Sequence, residues 1–541
     1  MQDVSETEAN VILGAGPAGL QLAYYFKKFG LPYIVLERDA SAGSFFRRYP
    51  RHRKLLSINK TNVAHESRDY RMRHDWNSLL EDADGRFPDF SSEYFPPADA
   101  LVDYLADFAR RHDLAIRYNC NVSHIERAPG ARGFTLRTDQ GAALSARRLV
   151  VATGLSLPYA PSFEGAELVE GYEDMSVRPE DFAGLNVLII GKGNSALETA
   201  NALLGSAARI HLISPRPVRF AWDTHHAGNV RSINNAFFDS YLLKSLNGVI
   251  DAEIEWIRRR ADGRLAVRFM SIHASDDSET LVYDRVLRCA GFAFDPAIFA
   301  ADCRPALTCG GRLPDISGDW ASRNVPDLYF AGALMQALDY KRSQSSFIRG
   351  FRYNIRSLAT LLAVRSGAIS MPQDEAPAEA EALAGAILSR LEVTDSLWQQ
   401  VGFLCDVIVR PACGASRTPW YRDLNPFFIE EGGVAAMGHD DVYAVMLGYG
   451  PRTGTAFDHP HLYPPSVDPR VFGDQSTEIH PVVRRYRQGR LEWEFHLRSE
   501  FLSQWNNPAR RGELRDFLSR DLADGGPGAI AQSDRARQHA Q

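Results

Sequence analysis

The sequence predicts an α/β fold with two Rossmann-like dinucleotide-binding domains, because two apolar runs each lead into a glycine-rich turn. The run at 9–13 meets GAGPAG at 14–19, and the run at 187–190 meets GKGNSA at 191–196. One glycine fingerprint is weak evidence, but two, each between a predicted strand and a predicted helix, indicate two bound dinucleotides. Such a pair is typical of proteins that pass electrons from one cofactor to the other.

Each part of the first fingerprint has a physical role. Gly14 permits the tight turn, Gly16 lets the backbone approach a pyrophosphate, and Gly19 lets the helix lie close to the strand. The predicted strand 33–36 ends in Glu37, 18 residues after Gly19. That spacing fits a carboxylate that accepts hydrogen bonds from the ribose hydroxyls.

The second fingerprint has no such carboxylate. Its following strand, 210–213, ends in Ser214-Pro215-Arg216. A hydroxyl and a guanidinium suit a 2′-phosphate, which a carboxylate would repel, so the sequence favours NADP over NAD. The alternative is that Arg216 and Arg219 form a solvated loop pair.

Length and composition predict a cytoplasmic enzyme with several domains. The chain has 541 residues, 45% hydrophobic and 24% charged, and a net charge of −6. No basic stripe predicts a nucleic-acid partner. Because the sequence contains neither a signal peptide nor about 18 consecutive apolar residues, no membrane partner is predicted. A homo-oligomer is left open.

Cysteine and histidine spacing argues against thiol or metal chemistry. The six cysteines include no CxxC pair, whereas a dithiol reductase needs two close thiols. The pairs His225-His226 and Asp458-His459-Pro460-His461 lack further ligands at a recognisable spacing, so no metal site is predicted.

Strand-and-glycine runs divide the chain into domains. The runs 149–154 and 286–291 mark where it leaves and re-enters the first domain, and 328–332 precedes a helix predicted over 343–362. Residues 371–381 are predicted as a linker or helix start, and later apolar runs predict a C-terminal α+β appendage. The predicted order is first dinucleotide-binding domain, first part (1–157); second dinucleotide-binding domain (158–289); first dinucleotide-binding domain, second part (290–368); appendage (369–520); and disordered tail (521–541).

The motifs VILGAGPAGL, ATG at 152–154, GKGNSA and YFAG at 329–332, with Glu37, resemble the flavin-containing monooxygenases. The segments GSFFRRYPRHRKLLSINK at 43–60, EGYEDMSVRPEDF at 170–182, THHAGNVRSINN at 224–235 and FIRGFRYNIRSL at 347–358 are more similar still to the FAD-dependent oxidoreductase domain-containing family. That family includes a flavoprotein of the endoplasmic reticulum.

The resemblance implies FAD in the first domain and NADPH in the second. It implies a monooxygenase that uses molecular oxygen, through a C4a-hydroperoxyflavin, to oxidise nitrogen (N-hydroxylation) or sulfur in a small metabolite, with an amine or thioether favoured. The alternative is a flavoprotein with slow NADPH oxidase or reductase activity and a protein-interaction or redox-sensing role.

The chain also departs from the monooxygenase pattern. Tyr172 lies where those enzymes carry a histidine that organises NADP, and Phe45 or Phe46 lies where a tryptophan is expected. Asn59 matches an asparagine that reaches toward the flavin, although it also fits a turn. The polar segment 221–235 predicts part of the substrate or nicotinamide pocket, or a surface loop that packs domains.

These arguments give two sets of candidate residues. The candidate catalytic residues are Asn59, Tyr172, Thr224 and His225. The candidate cofactor-binding residues are Gly14, Gly16, Pro17, Ala18, Gly19, Glu37, Arg38, Phe45, Phe46, Asn59, Ala152, Thr153, Gly154, Gly191, Gly193, Asn194, Ser195, Ser214, Arg216, Gly332 and Phe347.

Overall fold

The structure, a computed structural model, describes residues 7–82, 85–128, 130, 133–273, 277–449, 479–498 and 500–524. Two compact units are present. The first unit contains the chain to Val63 and His74–Ile369, and the second contains Ala64–Arg73 and the chain from Ser370 onward.

The helices and strands are numbered in chain order. The helices are α1 (Pro17–Lys28), α2 (Ser44–Arg48), α3 (Arg68–Met72), α4 (Ala98–Arg111), α5 (Asn194–Leu203), α6 (Ala221–Thr224), α7 (Ala236–Leu242), α8 (Ile348–Arg365), α9 (Ala380–Val393), α10 (Ser396–Gln399), α11 (Pro426–Glu430) and α12 (Pro508–Asp524). The strands of the first unit are β1 (Thr7–Leu13), β2 (Ile34–Leu36), β3 (Ile116–Arg117), β4 (Val122–Arg127), β5 (Phe134–Thr138), β6 (Ala143–Val151), β7 (Leu157–Pro158), β8 (Glu170–Gly171), β9 (Asn186–Ile190), β10 (Arg209–Ser214), β11 (Gly248–Arg259), β12 (Leu265–Ser271), β13 (Ser278–Tyr283), β14 (Arg285–Arg288), β15 (Phe292–Ala293), β16 (Leu307–Thr308), β17 (Leu313–Pro314) and β18 (Leu328–Phe330). Those of the second unit are β19 (Asp374–Pro377), β20 (Cys405–Val409), β21 (Arg417–Leu424), β22 (Asp441–Gly448), β23 (His480–Arg487) and β24 (Arg490–His496).

The first sheet has the order β3-β2-β1-β6-β5-β4, and β18 also pairs with β6. The pairings β1–β2, β2–β3, β1–β6 and β6–β18 are parallel, whereas β4, β5 and β6 pair antiparallel. Val11 and Ile12 of β1 are fully buried, as expected for a parallel strand covered on both faces. Helix α1 packs against α8.

The second sheet repeats this plan with the order β13-β12-β11-β10-β9-β14-β8. Strands β8, β14, β9, β10 and β11 pair in parallel, and β12 and β13 add an antiparallel extension. Because β18 returns to the first sheet after β14, the second domain is inserted into the first. The predicted α/β fold with two Rossmann-like domains is confirmed.

Helix α8 begins five residues later than the predicted helix 343–362. It starts at Ile348, with Phe347 at its extended N-cap. The preceding loop is held by buried polar contacts: the Ser345 amide donates to the Asp339 carboxylate at 3.2 Å, and Asn354 Nδ2 donates to Ser345 Oγ at 2.8 Å. These contacts favour the loop over another helical turn.

The second unit is an antiparallel sheet, β19-β21-β20-β22-β23-β24, with α9 packed against α12. This confirms the α+β appendage. Residues 64–73 also belong to this unit, which the sequence did not indicate. Within it, Arg73 Nε donates to the Thr394 carbonyl at 2.9 Å, and Arg73 Nη2 donates to those of Leu391 and Glu392 at 3.0 and 2.8 Å.

Helix α12 corrects the start of the predicted disordered tail. Asp521, the first residue of that tail, is fully buried and helical, and α12 continues to Asp524. Its carboxylate receives hydrogen bonds from Arg485 Nη1 at 2.8 Å, the Tyr443 hydroxyl at 2.5 Å and Trp493 Nε1 at 3.2 Å. The rest of the predicted tail lies outside the described residues.

Among the residues that the structure describes, no helix is both long enough and apolar enough to cross a membrane.

Candidate dinucleotide and substrate sites

The first glycine turn has the geometry that its motif predicts. Gly14 has φ +105° and donates its amide to the Leu36 carbonyl at 2.8 Å. A Cβ on Gly19 would lie 1.9 Å from the Gly14 carbonyl oxygen, so the turn closes only with glycine there. A Cβ on Gly16 would meet nothing within 4 Å, and its φ of −75° is ordinary. The fold therefore leaves open space beside Gly16. Pro17 and Ala18 are the first residues of α1, so this space lies at a helix N-terminus, the kind of place that suits a pyrophosphate.

Glu37 is fixed at the end of β2, beside this turn. Its carboxylate accepts hydrogen bonds from the Ala15 amide at 2.7 Å, the Asp39 amide at 3.0 Å and the Ser44 hydroxyl at 3.2 Å. The side chain is buried, whereas its neighbour Arg38 is exposed. This position suits the carboxylate that holds an adenosine ribose in Rossmann-like sites.

Two further predicted turns meet the first at the same sheet edge. Ala152 follows β6 and donates its amide to the Leu13 carbonyl at 2.9 Å, and Thr153 and Gly154 continue this turn. Gly332 follows β18 with φ +76°, and a Cβ there would lie 2.5 Å from that of Ala18. The carboxyl ends of three neighbouring parallel strands therefore surround one crevice, where ligands bind in open α/β sheets.

Asn59 is buried, and its side-chain oxygen is an acceptor that receives no hydrogen bond from the described residues. Its Nδ2 donates to the Ser91 carbonyl at 2.6 Å and more weakly to that of Glu93 at 3.3 Å. Within the described residues its Oδ1 has no hydrogen-bond partner, although the side chain is only 2% exposed. A buried acceptor of this kind is costly unless a ligand or water satisfies it.

Phe45 belongs to an aromatic cluster formed with Tyr49, Tyr172 and Phe292. The Phe45 and Tyr49 ring centroids are 4.9 Å apart, Tyr49 stacks on Tyr172 at 5.8 Å, and Phe292 lies 5.1 Å from Tyr49. Phe46 meets Phe45 edge-on at 5.5 Å. The cluster connects the segment after the first fingerprint to the second Rossmann-like domain.

Tyr172 is anchored in this cluster. Its hydroxyl oxygen accepts the Arg51 amide at 3.0 Å, and burial raises the pKa of its phenol, so the side chain is neutral near pH 7. A small cavity beside it is lined by Ser195, Cys289, Phe292 and Tyr159, among others. Tyr172 therefore lies beside Ser195 of the second fingerprint, and its hydroxyl is held by the protein's own backbone.

The second glycine turn repeats the first. Gly191 has φ +127°, and a Cβ there would lie 2.3 Å from the Cys289 carbonyl oxygen. Gly193 has an ordinary φ of −89° and open space at its Cβ position. Ser214 ends β10, and the side chain of Arg216 is exposed two residues later. Space for a second pyrophosphate thus lies above Gly193.

Asn194 holds the polar segment 221–235. Its Nδ2 donates to the carbonyls of Gly228 and Asn229 at 3.2 and 2.8 Å, and its Oδ1 accepts the Arg231 amide and Asn234 Nδ2, both at 2.9 Å. The sequence had assigned the Asn194 side chain to cofactor binding, but its amide group forms hydrogen bonds to segment 221–235 instead.

The predicted catalytic residues of this segment have structural partners. Thr224 Oγ1 donates to the Phe220 carbonyl at 2.8 Å and accepts Asn229 Nδ2 at 2.5 Å. His225 adopts a left-handed backbone with φ 55°. The neighbouring His226, which was not among the candidate catalytic residues, packs near Phe347 and is hydrogen-bonded to the Ser343 carbonyl at 3.2 Å. Burial lowers the pKa of His226 to about 4, which leaves it neutral at pH 7.

A cationic cluster around Trp76 was also not predicted. The Arg349 guanidinium lies 3.2 Å from the centre of the Trp76 ring, and that of Arg231 lies 5.2 Å from it. Arg231 Nη1 donates to the Leu56 carbonyl at 2.7 Å. These residues lie too far apart in the sequence for any spacing rule to connect them.

Glu198 is a half-buried acid on α5. Burial raises the pKa of its carboxyl to about 8, and burial raises the pKa of the nearby Cys289 thiol to about 12. Both groups are therefore mainly neutral at pH 7. All six cysteines are free. Within the described residues no cluster could hold a metal ion, and His459 and His461 lie outside them.

Comparisons with known proteins identify the family of this chain. The family model described as pyridine nucleotide-disulphide oxidoreductase matches residues 11–332. The chain belongs to this family, and within it to the FAD-dependent oxidoreductase domain-containing proteins. It is therefore a flavin-dependent oxidoreductase, which confirms the resemblance found in the sequence motifs.

FAD-dependent oxidoreductase domain-containing protein 2 of Mus musculus is 36% identical over 545 residues, covering 94% of this chain and 80% of that protein. Indole-3-pyruvate monooxygenase YUCCA1 of Oryza sativa subsp. japonica is 31% identical over 209 residues, covering 38% of this chain and 47% of that protein. A flavin-containing monooxygenase from Stenotrophomonas maltophilia shares the fold, with a TM-score of 0.51 and 18% identity, over 67% of this chain and 100% of that one.

Proposed function

We propose that this protein is an FAD-dependent, NADPH-using monooxygenase that oxidises nitrogen or sulfur in a small metabolite. The observation that carries the proposal is the pair of open glycine turns, at Gly16 and Gly193, with an aromatic cluster between their domains. Bound FAD would supply hydride acceptance from NADPH and the activation of molecular oxygen.

The first site would hold FAD through its backbone and one carboxylate. Amides at the start of α1 face the space above Gly16, and Glu37 is oriented by three donors beside it. Asn59 Oδ1 is an unsatisfied acceptor for a donor of the bound cofactor. The first turn of α8, after Phe347, offers amides that favour negative charge.

The second site would hold NADPH through Gly193, Ser195, Ser214 and Arg216. The exposed Arg216 guanidinium is suited to a 2′-phosphate, with which it can form bidentate, charge-assisted hydrogen bonds. Tyr172 lies where the flavin-containing monooxygenases carry a histidine, and its hydroxyl already accepts the Arg51 amide. We assign to it the exclusion of water between the two cofactors rather than proton transfer.

The substrate would lie near segment 221–235 and the start of α8. His226 is neutral there, so it offers a hydrogen bond rather than a charge. An amine or thioether fits the proposed chemistry, because each presents a lone pair to an electrophilic oxygen. The relatives named as monooxygenases support monooxygenation as the reaction, and the choice of an amine or thioether rests on the chemistry above.

Rapid mixing of the NADPH-reduced protein with oxygenated buffer tests the reaction. We expect a near-ultraviolet flavin band that persists before the oxidised spectrum returns, because a site that keeps water from the reduced flavin slows the release of peroxide. Added amines or thioethers should yield an oxygenated product in proportion to NADPH consumed. Immediate return of the oxidised spectrum, with one hydrogen peroxide per NADPH whatever amine or thioether is added, would contradict the proposal.

Arg216→Ala tests the choice of nicotinamide cofactor. We expect KM for NADPH to rise by at least about tenfold while KM for NADH changes little, because only NADPH carries the 2′-phosphate. Arg219→Ala removes another exposed loop arginine and is the matched control. Equal losses for both cofactors, or for both variants, would show that Arg216 does not bind the 2′-phosphate.

A second candidate function is slow NADPH oxidation coupled to protein interaction or redox sensing. It is favoured by the second unit, a compact unit of sheet and helices, and by Tyr172, which lies where the flavin-containing monooxygenases carry a histidine. The rapid-mixing experiment separates the two, because an oxidase releases peroxide without an oxygenated product.

A further inference from the structure

Lys192 lies inside the second glycine turn, yet its side chain points into the protein. The side chain is only 3% exposed. Its Nζ donates to the Ser214 carbonyl at 2.9 Å and to the Arg216 carbonyl at 3.3 Å, and it forms a short ion pair with Asp251 Oδ1. The three protons of the ammonium group therefore have three acceptors, one at the end of β10 and one in the loop that follows it.

Asp251 places a carboxylate beside the carboxyl end of β10, where the sequence has Ser214 instead of an acidic residue. It lies on β11 and is the in-register parallel partner of Ser214. In Rossmann-like sites, a carboxylate at this edge binds the ribose hydroxyls of NAD and repels the 2′-phosphate of NADP. An unmasked Asp251 would therefore disfavour NADPH next to Ser214.

The Lys192 ammonium and the Asp251 carboxylate lie within ion-pair distance of each other. Burial raises the pKa of Asp251, but hydrogen bonds from Lys192 and His273 outweigh it and leave the pKa below its ordinary value. Burial lowers the pKa of Lys192, against the opposing effect of Asp251. His273 Nε2 lies 3.0 Å from Asp251 Oδ2 and adds positive charge only when protonated.

We propose that Lys192 is a specificity-determining positioning residue, which neutralises Asp251 and fixes the Ser214–Arg216 backbone so that the second site accepts a 2′-phosphate. This inference rests on the proposed use of NADPH. It assigns the discrimination between the two nicotinamide cofactors to a buried charge pair as well as to the exposed Arg216. The lysine would act without touching the nucleotide.

The test measures binding of nucleotide fragments by titration calorimetry on the flavin-loaded protein, without turnover. The probes are 2′,5′-ADP and 5′-AMP, which differ by the 2′-phosphate, at about pH 8, where a typical imidazole is neutral. The variants are Lys192→Met, Asp251→Asn and the double variant. Arg268→Met, which breaks an exposed ion pair with Glu255 in the same sheet, is the matched control.

Lys192→Met should weaken 2′,5′-ADP by at least about tenfold and 5′-AMP by less than about threefold, because it exposes the Asp251 charge. Asp251→Asn should preserve or strengthen 2′,5′-ADP binding, and the double variant should recover most of the loss. Arg268→Met should change neither probe.

Several outcomes would overturn the inference, and they can be told apart. If the wild type prefers 2′,5′-ADP but Lys192→Met keeps that preference, the role of Lys192 is wrong while NADPH use stands. If the double variant binds as weakly as Lys192→Met, Lys192 only anchors the loop and the charge argument fails. If the wild type shows no preference for 2′,5′-ADP, the proposed use of NADPH fails first and the inference fails with it.

Discussion

Gly16→Ala is expected to yield folded protein that has lost most of its flavin. The added Cβ meets no protein atom within 4 Å and the backbone φ is ordinary, so the apoprotein accommodates it. The same methyl group would occupy the space in which a pyrophosphate approaches the start of α1. We expect FAD affinity to fall on the order of a hundredfold, or roughly 3 kcal/mol, measured by the flavin-to-protein absorbance ratio and by FAD titration of the apoprotein.

Two other glycines make this prediction specific. Gly205→Ala also adds a Cβ in open space, but away from both fingerprints, and should retain flavin. Gly19→Ala places its Cβ 1.9 Å from the Gly14 carbonyl oxygen and should damage the turn itself, with loss of stability as well as flavin. Full flavin retention in Gly16→Ala would show that FAD does not use the space above Gly16.

Asp521→Ala is expected to destabilise the second unit by about 3–5 kcal/mol, because it removes the carboxylate from a fully buried pair with Arg485. Tyr443 and Trp493 would lose their acceptor at the same time. The effect should appear as faster hydrogen exchange across β22 and β23 and as a lower denaturant midpoint for this unit.

Asp516→Ala is the control on the same helix. Asp516 pairs with Arg515, and both side chains are largely exposed, so its loss should cost less than about 1 kcal/mol. If Asp521→Ala were no more harmful than Asp516→Ala, the buried contacts of the Asp521 carboxylate would contribute little to the stability of the second unit.

Local patterns were sufficient to predict the geometry of the two glycine turns. Strand, glycine turn and helix lie within a few residues of one another, so the roles of Gly14 and Gly19 follow from sequence order alone. The position of Glu37 followed in the same way. By contrast, the contacts of Lys192 with Asp251 depend on the register between two strands, which no local pattern contains.

The less regular parts of the chain were harder to predict. Strand β19 lies inside the segment 371–381, which was predicted as a linker or helix start. The strand was missed because a short acidic stretch ending in Pro377 has no strand pattern of its own, and only its pairing with β21 at the sheet edge defines it. Burial of Asp521 was likewise invisible, since its partners come from β22, β23 and β24. The cluster of Arg231 and Arg349 around Trp76 depends on tertiary folding in the same way.

The assignment of residues 64–73 to the second unit has a consequence for how the chain is made. A ribosome releases Arg73 more than 300 residues before the carbonyls of Leu391, Glu392 and Thr394 that bind its guanidinium. Domains generally fold as units from the N-terminus during synthesis. The nascent first unit must therefore carry this segment as an open loop until the last third of the protein emerges. A single cut after Ile369 would likewise separate residues 64–73 from the rest of the second unit, with which they pack.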